Sequence, residues 1–256
     1  MSLKQSFGFS LIVALAALAA CGKLKEQPVV DFVMKDLKAE SSPNCREDSA
    51  CATFQVQYPE FLGLDTTVRK AIAGRIANHL ANAIAVDAAT QSRSLQQLGD
   101  DFVSDFKEFV KEEPGYDLGW YFRGQVTVLV SSDTLISLQV DSETFTGGAH
   151  ANYSTNFVNI EPKNGTEFLL DQMLRPGYRG DLNRLAAEEL EGQLQLNQAD
   201  SLASSDIDEG KFEFNENYGF RKEGIVFYFD TSEFGSPVDD PVEVIIPYEK
   251  LRDWMK

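Results

Sequence analysis

The chain has 256 residues, 40 of them acidic against 23 basic, for a formal net charge of −17. Such acidity opposes binding to nucleic acid, or to anionic lipid headgroups by charge, and favours a basic partner. It equally describes a soluble, self-repelling surface. The length suits one large domain or two small, intimate ones with a sizeable core.

A basic tip at Lys4 leads into an apolar run from Phe7 to Ala17, closed by Leu18-Ala19-Ala20-Cys21. The chain turns polar at Gly22, Lys23 and Lys25. The run is shorter than the roughly 20 apolar residues that span a bilayer, and small residues ahead of a cysteine mark a bacterial lipoprotein signal. The expectation is a signal peptide over 1–20, lipidation at Cys21 and a tether over 21–28. Acyl chains on Cys21 would hold the protein on a membrane. Gly22 is not the aspartate that retains many lipoproteins at the inner membrane, so the periplasmic face of the outer membrane is the expected site.

Residues 29–37 alternate well enough for a strand, with Val30, Phe32 and Met34 on one face. Ser41-Ser42-Pro43-Asn44 is a turn. Cys45 and Cys51 enclose a short polar loop, and a lone pair in an oxidising compartment bridges. Loop-entropy arithmetic gives so small a ring about 2 kcal/mol, a local staple. Residues 52–58 form a second strand, ended by Pro59. Asp65 or Thr66 caps a helix to about Val86, its stripe being Val68, Ile72, Ile76, Leu80 and Ile84. A second helix runs over 94–112, with Phe102, Phe106, Phe109 and Val110 inward.

From Tyr116 the period becomes two: strands at 120–130, 134–145 and 153–160. A short helix at 169–174 and a longer one at 178–196 follow, then a polar loop at 198–210. Strands at 212–215, 218–222, 225–230 and 242–246 precede a terminal helix starting at Pro247. Helices segregated from runs of strands imply an α+β fold with mainly antiparallel sheet. Residues 29–160 form an N-terminal α+β half and 161–256 a C-terminal one, expected to make one compact unit.

Phe145-Thr146-Gly147-Gly148-Ala149-His150 is the sharpest internal motif. Its glycines permit a tight connection between strands. His150 could act as a base beside an oxyanion hole, or be a structural histidine at a strained turn. Gly147, Gly148, His150 and Tyr153 are the candidate binding residues. His79 falls near the stripe of the first helix as a boundary or core residue. Two histidines make a zinc hydrolase hard to build, and no metal, cofactor or catalytic set is assigned. The acidic run at 206–210 lacks the spacing of a calcium loop, and Asp239-Asp240 reads as a turn. No Gly-x-Ser-x-Gly elbow and no phosphate-binding loop occur.

Beyond that motif come Asn152-Tyr153, Phe157-Val158-Asn159-Ile160, Gly165 and Phe168-Leu169-Leu170-Asp171. Then follow residues 220–229 (FRKEGIVFYF), residues 242–248 (VEVIIPY) and Leu251. In this order they resemble the extracytoplasmic RsiV-like family, which includes the accessory domain of the PdaC deacetylase. The resemblance runs from about Phe54 to the C-terminus. It implies a non-catalytic α+β module facing the cell wall and binding a lysozyme-like enzyme or peptidoglycan; no lysozyme-contact residues carry over. Two alternatives are an envelope hydrolase using His150 and a structural partner in outer-membrane assembly.

Overall fold

The computed structural model describes residues 29–45, 50–84, 93–194, 213–230 and 241–256. The signal peptide, Cys21, the tether, the loop at 198–210 and the Asp239-Asp240 turn lie outside the described residues.

Alternating apolar residues build a five-stranded sheet from β1 (Phe32–Glu40), β2 (Ala52–Phe61), β3 (Trp120–Ser131), β4 (Ile136–Phe145) and β5 (Asn152–Ile160), in that spatial order. Neighbours are antiparallel except β2 and β3, which run parallel. The exception follows from the connection. Two helices, α1 (Thr66–Ile84) and α2 (Leu95–Glu112), intervene between those strands, and a parallel pair needs such a crossover.

Both helices pack on one face of this sheet. Val68, Ile72, Ile76 and Leu80 of α1 and Leu98, Phe102 and Phe106 of α2 meet Phe54, Val56, Phe122, Val126, Leu138 and Val140. Phe54 stacks on Phe122 at 4.9 Å between centroids. The choice at the start of α1 falls on Asp65, whose carboxylate accepts from the Thr67 amide at 2.7 Å. At α2, Ser94 and Gln97 form a reciprocal capping box, at 3.2 and 2.8 Å. The turn after β1 ends where Cys45 and Cys51 lie at disulfide distance, their Cα atoms 5.9 Å apart.

The second half builds another layer. α3 (Leu170–Met173) and α4 (Arg179–Leu194) lead to a three-stranded antiparallel sheet of β6 (Tyr218–Phe220), β7 (Gly224–Phe229) and β8 (Val242–Pro247). Leu182, Ala186 and Leu190 pack with Phe220, Phe227, Val244 and Ile246 in a second apolar cluster. The whole is the α+β architecture expected, mainly antiparallel.

Several local expectations need correcting. The first strand lies later than residues 29–37, at Phe32–Glu40, and Pro59 does not end the second: it lies opposite Met34 in the ladder, and β2 runs on to Phe61. Residues 213–215 are not a strand: the Phe214 amide donates to Asn183 Oδ1 and the Asn215 side chain donates to the Tyr228 carbonyl. Side chains satisfy what a ladder would have. The strand expected over 218–222 stops at Phe220, because the Arg221 amide donates to the Gly224 carbonyl and closes the hairpin. No α-helix starts at Pro247. That residue ends β8, and only a 3-10 turn, Arg252–Trp254, follows. The tail is tied to the end of α3: Arg175 donates to the Trp254 carbonyl and Lys256 donates to the Met173 carbonyl.

Candidate functional site: the open face of the five-stranded sheet

Because successive strand residues point to opposite faces, burying Phe54, Val56, Phe122, Val126 and Val140 under the helices turns their neighbours the other way. The register aligns those neighbours in two rows across all five strands. One row is Lys38, Gln55, Arg123, Glu143 and Tyr153; the other is Asp36, Gln57, Gln125, Asp141 and Thr155. Together they line an open concavity of about 680 Å³.

The second layer covers only one end of this face. Asn159 and Ser137, cross-strand partners there, carry β6: Asn159 Nδ2 donates to the Tyr218 carbonyl at 2.7 Å, and the Phe220 amide donates to Ser137 Oγ at 2.9 Å. Gly219 lies against the Phe157 ring, where an added Cβ would come within 2.4 Å of the ring edge. Arg221 reaches back, donating to Gln139 Oε1 at 3.1 Å and pairing with Glu243 at 2.7 Å. The rows lie just beyond this roof.

Neighbouring groups hold the rows in place. Gln125 donates to Gln57 at 3.1 Å, Gln57 to Asp36 at 3.0 Å, and Thr155 to Asp141 at 2.8 Å. Glu143 is the hub of the other row. It accepts from Arg123 and Tyr121, each at 2.8 Å, and from Tyr153 at 3.4 Å. Burial pushes its carboxyl up, but the bonds from Arg123 and Tyr121 prevail and hold it below its ordinary value. The same bond to Glu143 raises the Tyr121 phenol. The Arg123 guanidinium sits 4.6 Å from the centre of the Tyr121 ring, within cation–π range. Tyr153 is 68% exposed, so its ring is open to a ligand.

The sequence motif sits at the edge of this face. Gly147 has φ +91°, and a Cβ there would meet Tyr116 Oη at 2.0 Å. The Tyr116 hydroxyl accepts from Trp120 Nε1 at 3.1 Å. Gly147 therefore lets the β4–β5 connection close over Tyr116. A Cβ added at Gly148 would meet nothing nearer than the His150 carbonyl oxygen, at 3.8 Å. His150 is exposed, with its Nδ1 3.0 Å from the Ala151 carbonyl. Of the four candidate residues, Tyr153 lines the concavity, whereas Gly147, Gly148 and His150 form the adjoining connection. His79 sits half-buried on α1, its imidazole held below its ordinary value by burial. Among the described residues, no three His, Cys, Asp or Glu side chains gather where they could hold a metal ion, and no helix is long and apolar enough to cross a membrane.

Sequence reasoning missed Gln55, Gln57, Arg123, Gln125, Asp141 and Glu143. Their signal was the polar half of each alternating strand, which by itself reads as a solvated face.

Residues 45–153 match the family model described as Deacetylase PdaC. Residues 171–249 match the one described as Protein of unknown function (DUF3298). The first spans β2 to the start of β5, including both helices, and the second α3 to β8. Two crystal structures of DUF3298 proteins share the fold. One, from Bacteroides fragilis, is 20% identical with a TM-score of 0.61, covering 90% of this chain and 96% of its own. The other, from Pseudomonas aeruginosa, is 18% identical with a TM-score of 0.61, covering 89% of this chain and 94% of its own. No curated protein matches.

Proposed function

We propose that this chain, which pairs a PdaC-type first half with a DUF3298 second half, is a lipid-anchored binding module of the bacterial cell envelope. Its ligand is the glycan of peptidoglycan, taken up on the open face of β1–β5. The observation that carries this reading is the pair of cross-strand rows, Lys38 to Tyr153 and Asp36 to Thr155, lining one concavity.

Sugars present hydroxyls and amides along an extended strand. The rows offer amide, carboxylate, guanidinium and hydroxyl groups at the spacing of adjacent strands, about 4.8 Å. Mutual hydrogen bonds hold these groups before a ligand arrives, which lowers the ordering cost of binding. Three carboxylates (Asp36, Asp141, Glu143) face two cations (Lys38, Arg123), so the lining suits a polar ligand of low charge. The exposed Tyr153 ring offers a flat surface to a pyranose face.

A second reading is favoured by a different observation, the net charge of −17. A basic, lysozyme-like protein would be drawn to such a surface, and charge complementarity speeds its encounter. The hydrolase alternative needs a nucleophile or acid within reach of His150, and the bond described for its ring is to the Ala151 carbonyl. A part in outer-membrane assembly would leave the rows unused.

Co-sedimentation with purified peptidoglycan, beside titration with a basic lysozyme at two salt concentrations, tests the two readings. Retention on peptidoglycan at both salt levels supports the glycan reading. Binding only to lysozyme, weakening as salt rises, replaces it with the second.

A further inference from the structure

Five of the large apolar side chains that stand exposed gather at one end of the β1–β2 ribbon: Val29, Phe32, Val33, Met34 and Leu62. Their positions are fixed by pairing. The Leu62 amide donates to the Asp31 carbonyl at 2.7 Å. Phe32 lies opposite Phe61 with ring centroids 5.7 Å apart, and Met34 lies opposite Pro59.

β1 is an edge strand, laddered to β2 on one side. Its second half carries Lys35, Asp36, Lys38 and Glu40, the kind of charge that guards an open edge. Its first half instead shows apolar side chains on both faces, Phe32 and Met34 on one and Val33 on the other. An apolar cluster of this kind on an exposed edge marks a contact surface.

Where the chain enters indicates what covers it. Val29 begins the described residues, and the eight residues 21–28 that precede it span at most about 27 Å when extended. We propose that this patch rests against the surface of the bilayer in which the lipid on Cys21 is embedded, with Phe32, Met34 and Leu62 at the headgroup–acyl boundary. The proposal rests on the anchor read at Cys21. Lys35 is paired with Glu60, and Asp31 adjoins Phe32 and Leu62, so the contact is made by apolar burial on zwitterionic lipid rather than by attraction to anionic lipid.

This placement orients the molecule. β2 runs from Ala52 to Phe61, about 30 Å at strand rise. Ala52 is paired with Trp120 at the opposite end from the patch. The connection carrying Gly147 and His150 is at that far end, because Phe145 pairs with Tyr121. The rows lie between, raised above the lipid and turned toward whatever the envelope presents.

The test uses the full chain, processed in a bacterial host and reconstituted into phosphatidylethanolamine–phosphatidylcholine vesicles whose acyl chains carry bromine. Tryptophan is introduced at the patch (Phe32→Trp) or, as a control, at the opposite end (Leu118→Trp, also exposed). Trp120 and Trp254 are present in every sample, so each variant is read as a difference from wild type, and matching melting temperatures confirm that both fold. The added emission at position 32 should be blue-shifted and lost to bromine quenching, while that at position 118 should persist. An acylated N-terminal peptide by mass spectrometry, with position 32 unquenched or with both positions quenched alike, overturns the contact and leaves the anchor standing. An unacylated N-terminus overturns the anchor and the proposal with it. An unquenched position 32 accompanied by concentration-dependent dimerisation also overturns the proposal and assigns the patch to a second copy.

Discussion

The Asn159 side chain donates to the Tyr218 backbone carbonyl at 2.7 Å and accepts from Ser137 Oγ at 2.7 Å, so one buried amide joins the two sheets. Burial makes this junction strong, because each orphaned polar group there would cost about 1–3 kcal/mol. Asn159→Ala is expected to lower stability by that amount or more, with Ser137 and the Tyr218 carbonyl both losing a partner. Urea unfolding checks it. The variant should also weaken ligand binding at the rows, since the roof that bounds them is held there.

Gly147 and Gly148 are adjacent but not equivalent. Gly147 holds a left-handed φ against Tyr116 Oη, while Gly148 has open space around it. Gly147→Ala should cost about 1–3 kcal/mol, the scale of local backbone strain. It should also disturb the Trp120–Tyr116 hydrogen bond, visible in indole fluorescence. Gly148→Ala should leave the melting temperature within a degree or so. Equal effects at the two positions would contradict the assigned packing.

The Glu143 carboxyl is pushed up by burial, yet the bonds from Arg123 and Tyr121 hold it below its ordinary value. A lowered folded-state value means that its contribution is complete above the ordinary glutamate range and is lost as pH falls through the lowered one. Glu143→Gln should therefore flatten stability against pH at the acid end. It should also return the Tyr121 phenol, now raised chiefly by the hydrogen bond to Glu143, toward its ordinary range. Tyrosine titration followed by NMR reads this directly.

His79 is held below its ordinary value mainly by burial; a hydrogen bond with Asn156 and the charge of Glu167 oppose the shift, and Arg75 adds to it. Unfolding lets the imidazole take up a proton that the folded state refuses. Stability is then full above the ordinary histidine value and declines as pH falls from there toward the folded one. Thermal melts between pH 7.5 and pH 5 should show a steeper decline for wild type than for His79→Gln.

Much of this architecture could be read from the chain alone. The strands at 120–130, 134–145 and 153–160 announced themselves by alternation, and the Val68–Ile72–Ile76–Leu80 stripe lies against the sheet as its spacing implied. The site was less legible. Gln57 and Gln125 are far apart in sequence, and only the parallel pairing of β2 with β3 makes them neighbours. Nor does alternation reveal that β6 roofs the face at Ser137 and Asn159 and leaves Gln55 and Arg123 open. His150 stood out because histidine and paired glycines are conspicuous. The rows are ordinary polar residues whose meaning comes from register. The tail misled for a related reason: Leu251 and Trp254 have helical spacing, but bonds to Met173 and Arg175 draw the chain out of a helix.

Calorimetric titration of a soluble peptidoglycan fragment into wild type, Tyr153→Ala and Gln125→Ala reads whether the rows hold the glycan. Both substitutions fall in the rows; Tyr153 and Gln125 are exposed, so the fold should persist. Wild type should bind saturably and each variant at least tenfold more weakly, about 1.4 kcal/mol, with unchanged melting temperatures. No binding by wild type, or equal binding by all three proteins, would contradict the glycan reading.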